Sequence, residues 1–448
     1  MSQDKSEEDI FCCELERQRS HTIPKMGKVW WCVVACVMVC GGMVEGQVNR
    51  CFKEEGPATL SPHFPRNVEK FGLNLFREVS QVVQKDGRSV FVSPYSIWSA
   101  LVLAYLGSDG ETKKQMETAM FLPSKTVAYM NWNSLKFVLE GNPHKTSDTV
   151  DLNMANWAYF NHSLNLNRCL YDSLFELQRI DFTNPRAAQA TINKDVSDAT
   201  RGLIPELLPI LPASTRFVIV NAIYFKGKWK VPFSPTETRK QQFLGLERGS
   251  SEIVDVMVQK AGFFKHGYSQ SLDANIIELP YQDTNISMFV LLPANHLTTQ
   301  IILDNLNQQT FSEAYRSMTN KSIHLVFPRF GLSTTLTAEL KDVLYNAGIQ
   351  DLLNPWRGNL TAFTVDRTSL YVDEVIHKAT VEVTEEGTVA AAATGIINTR
   401  FGGPPPIEFI VTRPFVFLIT DKHTGITLFA GNVISGKDLK PVTGNPIV

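Results

Sequence analysis

The sequence predicts a mixed α/β fold. Helical periodicities and strand patterns interleave along most of its 448 residues, and only the two termini look like linkers. Residues 217–225 form a run that is apolar apart from Asn221, as a strand buried on both faces requires. Near the C-terminus, residues 415–419 and 426–430 flank Asp421-Lys422-His423-Thr424-Gly425, a hairpin signal. No internal repeat is present.

The elements follow in order. Over residues 67–83, Val68, Phe71, Leu73, Leu75, Phe76, Val79, Val82 and Val83 recur at helical spacing and predict an amphipathic opening helix. Residues 91–96 end a short strand and cap a second helix over 97–106, which is nearly all apolar and therefore buried. Gly107-Ser108-Asp109-Gly110 is a turn, and Glu111-Thr112 opens a third helix. Residues 120–148 are polar and weakly patterned, with Lys125, Lys136 and Lys145 too scattered to form a basic face. Residues 153–160 alternate as a strand. Strand patterns follow at 275–279, 287–292 and 322–327, then a helix over 337–347 and a strand over 371–383.

Hydrophobic residues make up 44% of the chain and charged residues 20%, enough for a large core. A net charge of -2 argues against nucleic acid or an anionic membrane surface as the main partner. Five of the seven cysteines (Cys12, Cys13, Cys32, Cys36 and Cys40) lie in the first 40 residues, leaving Cys51 and Cys169, whose pairing the sequence leaves open. The body is thus no disulfide scaffold and offers no Cys/His cluster at metal spacing, so neither metal nor cofactor is expected. Lys28 and the apolar run 29–40 read as a secretory signal, with Val44-Glu45-Gly46 as small residues before Gln47. On this reading residues 1–25 are an upstream extension and 26–46 the signal. A signal anchor is the competing reading, disfavoured by the shortness of the run. Sequons at Asn161, Asn285, Asn320 and Asn359 agree with export, although Asn285 sits in an apolar strand pattern that would crowd a glycan.

The most informative stretch is Glu385-Glu386-Gly387-Thr388-Val389-Ala390-Ala391-Ala392-Ala393-Thr394. Its alanines favour helix, yet Gly387 and Gly395 break one and Thr388 and Val389 prefer extended backbone. Nothing from Gly387 to Gly395 exceeds valine in size, so the segment could lie exposed in one state and become a buried strand in another. Beyond it stand Arg400-Phe401, two glycines and Pro404-Pro405-Pro406, which favours extended geometry.

With residues 413–419 (Arg-Pro-Phe-Val-Phe-Leu-Ile), this stretch resembles the hinge and C-terminal strand of serpins. Residues 93–97 with 104–112, and above all 217–229, resemble the same family; residues 192–204 resemble its helix leading to a sheet strand, although a tryptophan usual near Val196 is missing. The resemblance runs from about Asn67 to Ile434. It implies one domain over 67–438, with a large central mixed sheet, further sheets, eight or nine helices and an exposed reactive-centre loop over 385–410, overriding the length prior of two or three domains. It further implies a shutter at Ser93, Ser96, Asn221 and His377, and a breach at Trp229 with an ion pair between Glu385 and Arg329.

An enzyme reading would take Ser93, His377 and Asn221 as nucleophile, base and orienter. No strained nucleophile turn or glycine-built oxyanion site accompanies them, so a buried hydrogen-bonded cluster is expected. The resemblance instead implies a suicide inhibitor: a serine protease cleaves the loop, and the freed segment inserts as a central strand while the acyl-enzyme persists. Neither charge nor proline occurs from Gly387 to Ile397 to slow insertion. The family's usual spacing places the cut after Phe401, for a chymotrypsin-like target. A loop one residue shorter places it after Arg400, for a trypsin-like target. Asn398-Thr399-Arg400-Phe401-Gly402 resembles the activation bond of arthropod prophenoloxidases, which favours Arg400-Phe401. By this resemblance the chain is a secreted haemolymph monomer that covalently traps a clip-domain protease and restrains melanization and Toll signalling. No heparin-like activator, nucleic acid or stable membrane association is implied. A non-inhibitory binding serpin is the alternative.

Overall fold

The computed structural model describes residues 51–52, 60–140, 150–247, 249–294, 298–386 and 405–442. Helix α1 spans Phe64–Gln84, strand β1 Val90–Val92, helix α2 Pro94–Gly107 and helix α3 Gly110–Met120. Pro94 at the first turn and Ser93 at the cap start α2: the Ser93 hydroxyl oxygen accepts from the Ser96 N–H at 3.1 Å. Every residue of α2 is buried, as its composition predicts.

Helix α4, Lys125–Glu140, occupies the stretch read from sequence as polar and weakly patterned. Ala128, Trp132 and Leu135 do lie on one buried face at helical spacing. The pattern is masked because Asn131 shares that face, satisfied by accepting from Ser61 N and donating to Val127 O, each at 2.8 Å. Exposed Val127, Phe137 and Val138 blur it from the other side.

Strand β2 (Val150–Asn161), helix α5 (Arg168–Tyr171), strand β3 (Leu177–Ile180) and helix α6 (Pro185–Ala199) lead to strand β4, Phe217–Gly227. Strands β5 (Arg239–Leu244), β6 (Ser251–Ser269), β7 (Ala274–Pro280) and β8 (Ile286–Pro293) follow. After them come helices α7 (Gln300–Asn305) and α8 (Gln308–Ser317), strands β9 (Thr319–Pro328) and β10 (Phe330–Leu336), and helix α9 (Ala338–Asn346). Strands β11 (Glu374–Val383), β12 (Ile407–Ile410), β13 (Phe415–Asp421) and β14 (Ile426–Val433) complete the chain. Three short 3-10 turns accompany nine α-helices among the described residues. None of these helices is long and apolar enough to cross a membrane.

The strands form two sheets. One has nine strands in the order β1-β14-β13-β8-β7-β6-β9-β12, with β5 on β6; the other has five, β10-β11-β4-β2-β3. The five-stranded sheet is mixed, because β11 pairs with β4 in parallel while β10 and β2 flank them antiparallel. Strand β4 is buried on both faces, as its apolar run predicts. Phe217, Ile219, Ile223 and Phe225 enter the main core, while Val218, Val220 and Ala222 enter a smaller one with Ile192 and Val196 of α6 and Ile376 of β11.

Candidate functional site: the polar row and upper end of the mixed sheet

In the parallel register of β4 and β11, Asn221 lies opposite His377, and in the antiparallel register Asn156 of β2 lies opposite Asn221. The three side chains make a polar row across an otherwise apolar layer. Ser93 and Ser96, on the first turn of α2, meet it.

Donor chemistry fixes the state of the histidine. The Ser93 backbone N–H donates to His377 Nε2 at 3.2 Å, so Nε2 carries a lone pair and the ring proton sits on Nδ1. That proton is donated to Asn221 Oδ1. Asn221 Nδ2 in turn donates to Ser96 Oγ and Asn156 Oδ1, and Ser96 Oγ donates to Asn156 Oδ1 at 3.0 Å. Burial lowers the His377 pKa to about 3, so the ring is neutral. Ser93 Oγ donates to Leu428 O at 2.6 Å, and only its backbone N–H faces the ring. No nucleophile meets a base here, and the row is a clasp between strands.

A second cluster lies at the end of β11. The Phe233 N–H donates to Glu385 O at 2.8 Å, the Trp229 N–H to Glu386 O at 3.2 Å, and the Trp229 indole to Thr384 O at 2.9 Å. Trp229 stacks on Tyr281 with centroids 4.6 Å apart. Glu385 is buried; its Oε1 accepts from Thr238 Oγ1 at 2.6 Å and its Oε2 lies 3.2 Å from Arg329 Nε. The Nε–H is not aimed at that oxygen, so the contact is an ion pair rather than a hydrogen bond. Arg329 Nη2 donates to Val442 O at 3.0 Å.

Every residue assigned from sequence to the shutter and breach thus falls into one of two clusters joined by β4 and β11. The reading missed Asn156, although an asparagine between Ala155 and Trp157 in a strand pattern signalled a polar partner. Gly387, Thr388, Ala390, Ala391, Ala392, Ala393, Thr394, Arg400 and Phe401 lie outside the described residues. Of the sequons, Asn285 and Asn320 are exposed, and Asn359 is partly buried. The expected crowding at Asn285 does not occur, because Asn285 sits in the turn before β8 rather than within a strand. Asn161 is buried and donates through Nδ2 to Thr215 O at 3.2 Å, which a glycan there would disrupt. Cys51 and Cys169, left open by the sequence, are joined in a disulfide with Cα atoms 5.5 Å apart.

A family model described as "Serpin (serine protease inhibitor)" matches residues 66–436. The chain belongs to the serpin family. It is 36% identical over 371 residues to an uncharacterized serpin-like protein of Methanosarcina acetivorans, covering 80% of this chain and 84% of that one. It is 33% identical over 376 residues to glia-derived nexin of Mus musculus, covering 81% and 91% respectively. Against leukocyte elastase inhibitor A of Rattus norvegicus the identity is 33% over 384 residues, covering 82% and 97%. Among solved structures, native protease nexin-1 with heparin superimposes with a TM-score of 0.72 at 30% identity, covering 83% of this chain and all of that one. The fold is therefore the serpin fold. The chain belongs to a family of protease inhibitors and is not itself an enzyme.

Proposed function

We propose that this serpin is a secreted suicide inhibitor of a trypsin-like, clip-domain type serine protease, cut between Arg400 and Phe401. The observation that carries this reading is the geometry around β4 and β11. These neighbours run parallel and carry the row of Asn221 and His377, and the chain leaves β11 through Glu385 and Glu386, held at Phe233 and Trp229. A segment doubling back from Glu386 would run antiparallel to both strands and pair with both, which two parallel neighbours permit. Residues 387–397 carry no charge, proline or large aromatic side chain to resist burial between them. Trypsin-like attack at Arg400 would form the acyl-enzyme, and insertion would carry the protease away before it deacylates.

The Cys51–Cys169 disulfide supports export to an oxidising compartment, as do the exposed sequons at Asn285 and Asn320. The likeness of residues 398–402 to a prophenoloxidase activation bond supports a role in restraining melanization and Toll signalling in haemolymph. Monomeric action without a polyanion fits α4, where Lys125 donates to Ser108 O and Lys136 pairs with Glu176 instead of forming a basic stripe. The test is incubation with trypsin. An SDS-resistant complex and a released fragment beginning at Phe401 support the reading. A fragment beginning at Gly402 would reassign the cut to a chymotrypsin-like specificity, and clean cleavage without complex would make the chain a non-inhibitory binding serpin.

A further inference from the structure

We propose that residues 438–442 form a strap that positions Arg329, and through it Glu385, so setting how readily the upper end of the mixed sheet opens; the consequence for trapping rests on the inhibitory reading above.

Strand β10 is an edge of the five-stranded sheet and would otherwise leave backbone groups unpaired. Lys440 supplies partners: the Gly331 N–H donates to Lys440 O at 2.8 Å and the Lys440 N–H to Gly331 O at 3.0 Å. The strap is anchored before this point. Leu439 is buried in the main core, and Asp438 Oδ2 accepts from the Ser89 N–H at 2.8 Å. Beyond it, the Val442 side chain reaches over Gly331, with Cγ2 3.6 Å from where a Cβ would stand.

This route delivers the Val442 carbonyl to Arg329. Nη2 donates to it at 3.0 Å, while Nε of the same guanidinium lies 3.2 Å from Glu385 Oε2. The Arg329 backbone is fixed in turn, its N–H donating to Asp255 O at 2.8 Å. A planar guanidinium held at one nitrogen by a rigid backbone acceptor presents the other in a set direction. Without Val442, Nη2 would turn to water and the group could leave Glu385. Glu385 is also where the Phe233 N–H holds the chain leaving β11, so a loosened carboxylate loosens that bond and the neighbouring one from the Trp229 N–H to Glu386 O. Arg329 is thus a positioning residue, and the strap acts on it without touching β4.

The test uses the full chain, a chain ending at Leu439, and Lys440→Pro, which removes one strap bond and keeps the length. Each is made with Arg329 and with Arg329→Gln. The readout is hydrogen exchange at the Trp229 and Phe233 amides, which reports opening at this end whether or not a protease is trapped. We expect exchange to accelerate about tenfold in the chain ending at Leu439, the weight of one charge-assisted hydrogen bond, and less in Lys440→Pro. In the Arg329→Gln background the truncation should add nothing. Unchanged exchange, or full acceleration repeated with Arg329→Gln, would overturn the proposal. Accelerated exchange in a chain that never forms an SDS-resistant complex with trypsin would sink the inhibitory reading and leave the strap standing.

Discussion

His377 and Asn221 lie directly opposite each other on two parallel strands, and the imidazole donates its Nδ1 proton to the amide oxygen across the gap. Any strand entering between β4 and β11 has to part them. The clasp uses hydrogen bonds in a layer where Ile219, Ile223, Val375 and Ala379 supply apolar contact, and a hydrogen bond can be broken and remade at a defined place. Replacing His377 with alanine leaves Asn221 Oδ1 and the Ser93 N–H without partners in a buried site. Thermal unfolding should then show a loss of about 2–4 kcal/mol from two stranded polar groups. A loss below about 0.5 kcal/mol would mean that the row contributes little to stability.

Burial pushes the Glu69 carboxyl up from 4.5 to about 7, against hydrogen bonds from Thr427 N at 2.6 Å and Thr427 Oγ1 at 2.8 Å. A raised carboxyl pKa means the folded state holds the proton more tightly than the unfolded one. This contribution is complete below pH 4.5 and is lost as pH rises through about 7. His377 has the opposite sign: its contribution is complete above pH 6.5 and is lost as pH falls from there toward 3. Between pH 4.5 and 6.5 the two slopes cancel, at about 1.4 kcal/mol per pH unit each. Glu69→Gln removes one of them. Relative to the native chain, the variant should gain about 1.4 kcal/mol per unit over this window in denaturant titrations. Parallel pH profiles for the two proteins would contradict the assignment.

Gly227 ends β4, and a Cβ there would fall 2.6 Å from the Tyr281 ring that stacks under Trp229. Gly227→Ala must push Tyr281 aside or bend the strand. We expect a destabilisation of about 1–3 kcal/mol and a changed Trp229 emission, read by fluorescence-monitored unfolding. Superimposable spectra would show that the stack tolerates the methyl group.

The disulfide closes a separation of 118 residues and holds Phe52, which stacks on Tyr129 of α4 with centroids 4.1 Å apart. Serine at both Cys51 and Cys169 should lower stability by about 2–4 kcal/mol, the usual range for cross-linking a long loop. Alkylation of the denatured, unreduced chain should leave Cys51 and Cys169 unlabelled; labelling of either would show that they are free.

How much of this was legible in the sequence depended on whether one segment carried its own signal. Strand β4 and the hairpin of β13 and β14 did, because residues 217–220, 222–225, 415–419 and 428–430 are apolar and a polar turn joins the hairpin. Helix α4 did not, since the buried Asn131 breaks its apolar face and only the tertiary bond from Ser61 explains it. Strand β6 also escaped notice: polar and apolar residues alternate along it irregularly, and its pairing with β9 shifts register between Gln259 and Gly262. Ser93, Asn221, His377 and Arg329 could be placed through family motifs, whereas Asn156 could not. The tie from Arg329 to Val442 was invisible because it runs through a backbone carbonyl, which leaves no side-chain signature.

The central claim is that a small, uncharged segment enters the mixed sheet before the trapped protease frees itself. Thr388→Arg tests it most directly, because insertion would then have to bury a guanidinium at a cost of several kcal/mol. Trypsin titrated against this variant should be left active, with the loop cleaved and almost no SDS-resistant complex formed. Complex formation equal to that of the native chain would contradict the account.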